Sequence, residues 1–382
     1  MKEKLNERIL IIYLPTGGGH LSNAKALREE LLRQGYTDVL LYDPISPYSA
    51  LGKFLMGTGY RLASQKIPMI WKIIYLNDES RFGRCLTHLI GLVFSLYGML
   101  LICKTYQPTR IICTHAIPSY AVKYCAKKYK LPVSMVVTDP FDPPRLWYEG
   151  HTFEIFCYSR DAALWMQKRG VPARRIHAYN LLVQEKFFNQ MTAQEVHTFM
   201  VQEGFNPDKP LVLMAGGADG LPKAISIFRK LMKSKLDFQI AVICGHDIDT
   251  YNILNLLALP FSKNRVIKIY SFVTTMYELM NAAYITIIKA GPGVIGEALA
   301  LKKPMLIASS LPGQERPNIH WVTKNKLGFY CYKPSLVKKR VEQLLSDPVK
   351  YAEYKHRLEL FHLENTLPKM ISDITSSNKA LH

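Results

Sequence analysis

The residues whose types and spacing could do chemistry lie in short loops, each directly after a run of apolar residues. The richest stretch is Lys289 to Asn318, KAGPGVIGEALALKKPMLIASSLPGQERPN. An apolar run, Tyr284 to Ile288, reads as a buried strand; Gly291, Pro292 and Gly293 follow it and open a helical pattern, Val294 to Leu301. Strand, glycine turn and helix make an anion-binding arrangement. The glycines let the backbone approach closely, and the helix N-terminus offers unpaired N–H groups and a positive dipole end, chemistry suited to a phosphate or diphosphate. Glu297 falls about one turn into that helix, where a carboxylate can accept hydrogen bonds from ribose hydroxyls or stand as a solvated helix residue. A loop after the strand Met305 to Ala308 adds Gly313, Gln314, Glu315 and Asn318, polar groups suited to sugar hydroxyls.

The first half carries a second set. After the strand Ile9 to Leu14 come Thr16, Gly17, Gly18, Gly19 and His20, then a helix from about Ser22 to Gln34. Taken alone, His20 reads as a residue opening that helix. After the strand Val133 to Thr138 the loop DPFDPPRLW begins at Asp139 and ends at Trp147; Asp139 could orient a base or simply form an Asx turn before proline. In the second half, the strand Leu211 to Met214 leads to Gly216, Gly217 and Gly220, and the strand Val266 to Tyr270 leads to Phe272 and Val273. Asp247 and Asp249 form a DxD triplet that reads as a helix cap rather than a manganese site. The seven cysteines are scattered without CxxC or Cys/His clusters, so neither a disulfide framework nor zinc is expected and a reducing, cytosolic compartment fits.

These loops need a scaffold of alternating strands and helices, with function at the strands' carboxyl ends. The pattern predicts an α/β fold of two doubly wound, Rossmann-like domains facing across a cleft. The first covers 1–190, the second 208–350, and a basic, amphipathic C-terminal helical segment covers 351–382; a polar, strandless run from about Gln184 to Lys209 connects the two domains. At 382 residues, 48% hydrophobic and 21% charged, the chain can bury two full cores.

A net charge of +19, of which about +11 lies in the first 190 residues, favours anionic partners. No nucleic-acid module or basic stripe is present, so an anionic membrane surface is the expected partner. The N-terminus leads straight into a strand and does not read as a cleaved signal. Between Ser46 and Arg84 the alternation breaks, and aromatics including Trp71 and Tyr75 lie beside six basic residues, a composition suited to a bilayer interface or to ordinary helix packing with snorkelling lysines. The uncharged run Cys85 to Cys103 reads as a buried or membrane-surface helix rather than a span.

The Lys289 to Asn318 stretch resembles the nucleotide-sugar half of the GT-B glycosyltransferases of the MurG and monogalactosyldiacylglycerol synthase group, which carry a KAGPGTIAEAL-like segment and a PGQE-like loop. The Gly-Gly-Gly-His loop resembles the start of the same families. The resemblance implies a GT28-type enzyme moving glucose or galactose with inversion from a UDP-sugar to diacylglycerol, peripheral on the cytoplasmic face of a membrane, with no cofactor and no metal. A MurG-like transfer of N-acetylglucosamine to a polyprenyl-linked precursor, or a relative that binds without turnover, are the alternatives. It further implies that His20 is the general base, with Asp139 beside it, that Gly18, Gly19, Trp71, Tyr75 and Trp147 serve the acceptor or the membrane, and that the segment 351–382 returns toward the first domain. Gly216, Gly217, Phe272, Val273, Gly291, Gly293, Glu297, Gln314, Glu315 and Asn318 would hold the donor, Phe272 and Val273 at the uracil. The chain departs from the family at Pro144, where a histidine is usual, and at Asn180 to Leu182, where Gly-x-Pro is usual.

Overall fold

The computed structural model describes residues 7–16, 18–59, 77, 80–218 and 220–377, which group into two compact units. The first runs through Leu182 and also takes Pro312–Gln314 and the chain from Asn365; the second comprises Val183–Leu311 and Glu315–Glu364. The first unit begins β1 (Arg8–Ile12), α1 (Gly18–Arg33), β2 (Asp38–Tyr42), α2 (Ala50–Phe54), α3 (Arg81–Thr105), β3 (Arg110–Cys113) and α4 (Ser119–Tyr129). It continues with β4 (Val133–Val137), β5 (Glu154–Cys157), α5 (Arg160–Lys168) and β6 (Ile176–Ala178). In the second unit α6 (Ala193–Gln202) precedes β7 (Leu211–Ala215), α7 (Ala224–Leu231), β8 (Gln239–Ile243), α8 (Ile248–Ala258), β9 (Ile267–Tyr270), α9 (Met276–Ala282), β10 (Ile285–Lys289) and α10 (Pro292–Ala300). There follow β11 (Met305–Ser309), α11 (Arg316–Lys324), β12 (Phe329–Tyr330), α12 (Pro334–Ser346) and α13 (Pro348–Leu360), and then α14 (Leu367–Ser376), which belongs to the first unit.

Each unit is built on a six-stranded parallel sheet, ordered β2-β1-β3-β4-β5-β6 in the first and β12-β11-β10-β7-β8-β9 in the second. The strands are near-continuous apolar runs because helices cover both faces, and β3, β4, β5, β7, β8 and β11 are buried at every position. In both sheets the strand order reverses beside the first strand laid down. That switch point falls between β1 and β3 in the first unit (Ile12 pairs with Cys113) and between β7 and β10 in the second (Ala215 pairs with Ile288). Connections leave a switch point in opposite directions and open a crevice at the strands' carboxyl ends. The loops bearing His20, His115, Gly216 and Gly291 all start there.

Two elements differ from the sequence reading. Helix α1 starts at Gly18, not Ser22, so His20 lies in its first turn. Glycine is a poor helix former, costing about 1 kcal/mol each, and the packing of α1 overrides that local preference. The run from Gln184 to Lys209 has no strand but is not irregular: it holds a 3-10 turn, Glu185–Phe188, and α6, whose capping box joins Thr192 and Glu195. Asp247 caps α8, accepting from the Thr250 N–H at 3.1 Å, the role read from its position.

Helix α3 presents two unlike stripes. Its protein-facing stripe is small or polar at Arg84, His88, Gly91, Ser95 and Gly98 and apolar at Met99 and Cys103, which join the core with Leu92, Leu96, Leu100 and Ile102 packed against it. Gly91 and Gly98 allow the close approach, since a Cβ there would lie 2.1 Å from the Ile117 carbonyl oxygen and 2.3 Å from that of Pro44. The opposite stripe is apolar and open, with Phe82 77%, Val93 65% and Tyr97 64% exposed beside Leu86, Leu89 and Ile90. The run Cys85 to Cys103 therefore packs on the core along one side and leaves an apolar stripe open along the other. Trp71 and Tyr75, the aromatics singled out from the sequence, lie outside the described residues.

Candidate active site

In the first unit three loops converge at the β1/β3 switch point. Thr138, just past β4, brings Oγ1 to 3.1 Å from His20 Nδ1. The imidazole of His115, in the loop after β3, lies 4.5 Å from that of His20, and the Trp147 ring stands 6.3 Å from His20. Burial pushes the His20 pKa below its ordinary value, outweighing the neighbouring Asp139 carboxylate and a hydrogen bond to the Thr114 backbone, which both raise it. The balance favours the neutral, proton-accepting form at pH 7. Gly19 is exposed, and a Cβ there would meet nothing within 4 Å.

Asp139 is held at both oxygens. Trp147 Nε1–H donates to Oδ2 at 2.7 Å and Gln314 Nε2 donates to Oδ1 at 3.2 Å, Gln314 being one of the three residues that group with the first unit. Trp147 is buried and sits in a single 3-10 turn, Arg145–Trp147, that Pro144 opens. At the other departure, the Asn180 N–H donates to Thr366 Oγ1 at 2.9 Å, tying this position to the residue before α14.

In the second unit, α10 begins at Pro292 with Gly291 as an uncapped N-cap residue. Proline has no N–H, so Gly293 and Val294 supply the free donors at this end. A Cβ on Gly293 would project into open space, leaving room for an anion at the backbone. Glu297 lies further along α10, half-buried, and desolvation pushes its carboxyl up to about 7 against the opposing charge of Lys186. No hydrogen bond within the protein stabilises its charged form among the described residues.

The remaining donor-side candidates divide. Glu315 is 5% exposed and engaged internally, its Oε1 3.1 Å from Lys289 Nζ and its Oε2 accepting from the Leu311 N–H at 2.7 Å. Asn318 is buried and donates to the Ala290 carbonyl at 2.8 Å. Both brace the walls of the loop. Gly216 admits no side chain, since a Cβ there would lie 2.0 Å from the Gly220 carbonyl oxygen, whereas Gly217 has φ +85 and opens onto space. Phe272 is exposed and stacks on His246, centroids 4.7 Å apart at 6°, with Val273 half-buried beside it.

Three contributors were not singled out from the sequence: His115, His246 and Lys186. None lies in a motif, and each reaches its partner only through the fold. His115 and His246 each left a signal, a place just after a strand, β3 and β8 respectively.

A pair of parallel six-stranded α/β units with loops for an anion and a base at their switch points is the architecture of the GT-B glycosyltransferases. Within that class, residues 211–360 match the glycosyltransferase family 28 C-terminal domain, and residues 20–183 match the monogalactosyldiacylglycerol (MGDG) synthase family. It is 25% identical to the "Probable monogalactosyldiacylglycerol synthase 2, chloroplastic" of Oryza sativa subsp. japonica, over 96% of this chain and 79% of that one. It is 23% identical to the processive diacylglycerol beta-glucosyltransferase of Bacillus cereus (strain B4264), over 98% and 95% of the two chains. Among solved structures, MurG of Acinetobacter baumannii superposes with a TM-score of 0.65 at 12% identity, covering 97% of this chain and all of that one, a likeness of fold.

Proposed function

We propose that this enzyme transfers a hexose from a UDP-sugar to the free hydroxyl of diacylglycerol, with inversion, at a membrane surface. The acceptor oxygen attacks the anomeric carbon, its proton passes to the His20 imidazole, and the bond to the UDP oxygen breaks with its electrons remaining on the diphosphate. In the tautomer that carries its proton on Nδ1, beside Thr138 Oγ1, His20 Nε2 is the nitrogen that takes that proton. The Gly293 and Val294 N–H groups and the α10 dipole receive the charge that develops on the leaving diphosphate, so the proposed mechanism does not call on a metal. Glu297, costly to ionise in the empty site, accepts the ribose hydroxyls, and the stacked His246 and Phe272 rings offer the base a flat face.

The observation that carries this reading is the half-buried His20, whose surroundings favour its neutral form, on a unit that matches the MGDG synthase family. Relatives named for diacylglycerol products support the acceptor class. The open stripe of helix α3 supports peripheral attachment, because large apolar residues left exposed along one side of a helix are matched to an apolar medium outside. The test is His20→Ala, assayed for labelled hexose transfer from UDP-glucose or UDP-galactose to diacylglycerol in anionic micelles. A fall in kcat of about 10² to 10⁴ with UDP affinity intact is expected. Near-normal turnover would remove His20 from the chemistry, and lost UDP affinity would make its loop part of the donor site.

A further inference from the structure

We infer that His115 is a positioning residue of this transfer, an imidazole locked in one tautomer that braces the Thr16 loop and walls the His20 ring into the orientation a base needs. The inference rests on the reading of His20 as the base. His115 is 7% exposed and both its nitrogens are engaged. The Ile117 N–H donates to Nδ1 at 3.2 Å, so Nδ1 is the acceptor nitrogen and the proton resides on Nε2. Nε2–H then donates to Thr16 Oγ1 at 2.8 Å. A buried bond thereby ties the loop after β3 to the residue immediately before the glycine run that opens α1, and His20 lies in the first turn of that helix.

The His20 ring is thus bounded from separate elements: by Thr138 at its Nδ1, by the His115 ring at 4.5 Å, and by Trp147 at 6.3 Å. The titratable groups facing the pair are few. Asp139 acts on His20 from the loop after β4, while His115 faces His20 itself and hydrogen-bonds through its carbonyl to the Cys113 thiol. Burial and the nearby His20 both hold His115 well below its ordinary pKa. Because its Nδ1 already accepts a backbone hydrogen bond, His115 has no lone pair to take a substrate proton. Its contribution is geometry, and misplacing a base by about 1 Å can cost on the order of 10²-fold in rate.

The experiment uses the full chain, with UDP-glucose or UDP-galactose as donor and diacylglycerol micelles as acceptor. His115→Phe should lower kcat roughly 10- to 100-fold while leaving the donor KM and calorimetric UDP affinity unchanged. His115→Asn, whose oxygen can accept from Ile117 and whose amide can donate to Thr16, should recover most of that loss. Thr16→Val should reproduce part of it, and these two carry the decision if His115→Phe does not fold. In the His20→Ala background, His115→Phe should cost nothing further, because groups acting through one another are not additive. Equal losses in both backgrounds would overturn the inference and leave the base assignment standing. A His20→Ala protein as fast as wild type would overturn the base assignment and the inference with it. A readout that needs no turnover is the ring-nitrogen spectrum of ¹⁵N-histidine-labelled protein: His115 should show the Nε2–H tautomer alone, and finding Nδ1–H would overturn the inference by itself.

Discussion

With Glu297 placed at the ribose as proposed, donor binding should depend on pH. The Glu297 carboxyl is pushed up to about 7 by desolvation, so at pH 6 roughly a tenth of the empty sites carry the carboxylate and at pH 8 roughly nine-tenths. Ribose hydroxyls donate to the ionised form, so binding must expel the proton. Affinity for UDP-glucose should rise about tenfold, or ~1.4 kcal/mol, from pH 6 to pH 8, most steeply below 7. UDP-glucose is the ligand of choice because its phosphates carry no titration in this window. Calorimetry in buffers of different ionisation enthalpy should count close to one proton released at pH 6 and close to none at pH 8. In Glu297→Gln the affinity should be weaker and flat with pH. The same shift predicts stability. A carboxyl whose folded pKa is raised does not disfavour the fold below its unfolded value near 4.5, and destabilises it increasingly as pH rises through 7. Glu297→Gln should therefore be more stable than wild type at pH 8, by up to about 3 kcal/mol, and no more stable at pH 4. A wild-type affinity that does not change from pH 6 to pH 8, or an unchanged slope in the variant, would refute the assignment of Glu297 to the ribose.

Asp139→Asn removes the charge that raises the His20 pKa, so the acid limb of the kcat/KM profile should move to lower pH; a shift to higher pH would mean that another group sets that limb. Val93→Glu on the open face of α3 should weaken vesicle co-sedimentation about tenfold or more, since burying such a side chain is worth about 1.5–3 kcal/mol; unchanged binding would place the membrane contact elsewhere. Gly216→Ala forces a Cβ to 2.0 Å from the Gly220 carbonyl oxygen and should lower Tm by several degrees, whereas Gly293→Ala, with open space at its Cβ, should keep Tm and weaken UDP binding.

Much of this protein is local and was therefore legible. Apolar runs bounded by glycine and proline mark the strands, and a glycine turn before a helix marks an anion site, because backbone conformation and helix polarity depend on neighbours in sequence. That reasoning located Gly293 and Glu297 in the helix after a strand, His20 and Asp139 just beyond strands, and Asp247 as a cap. Long-range properties were not legible. Glu315 and Asn318 looked like free sugar ligands, yet Lys289, the Leu311 N–H and the Ala290 carbonyl occupy them, and which polar groups are spent internally depends on what folds against them. Helix α3 has composition enough for a core helix or a span, and only packing tells which stripe faces the protein. The raised pKa of Glu297, the tautomer of His115 and the stacking of His246 on Phe272 arise from desolvation and contact between residues far apart in the chain. The chain's local chemistry decided which residues could act. Tertiary structure decided which remain available to act and in what charge state, because burial, partner and dielectric are properties of the folded surroundings rather than of the residue.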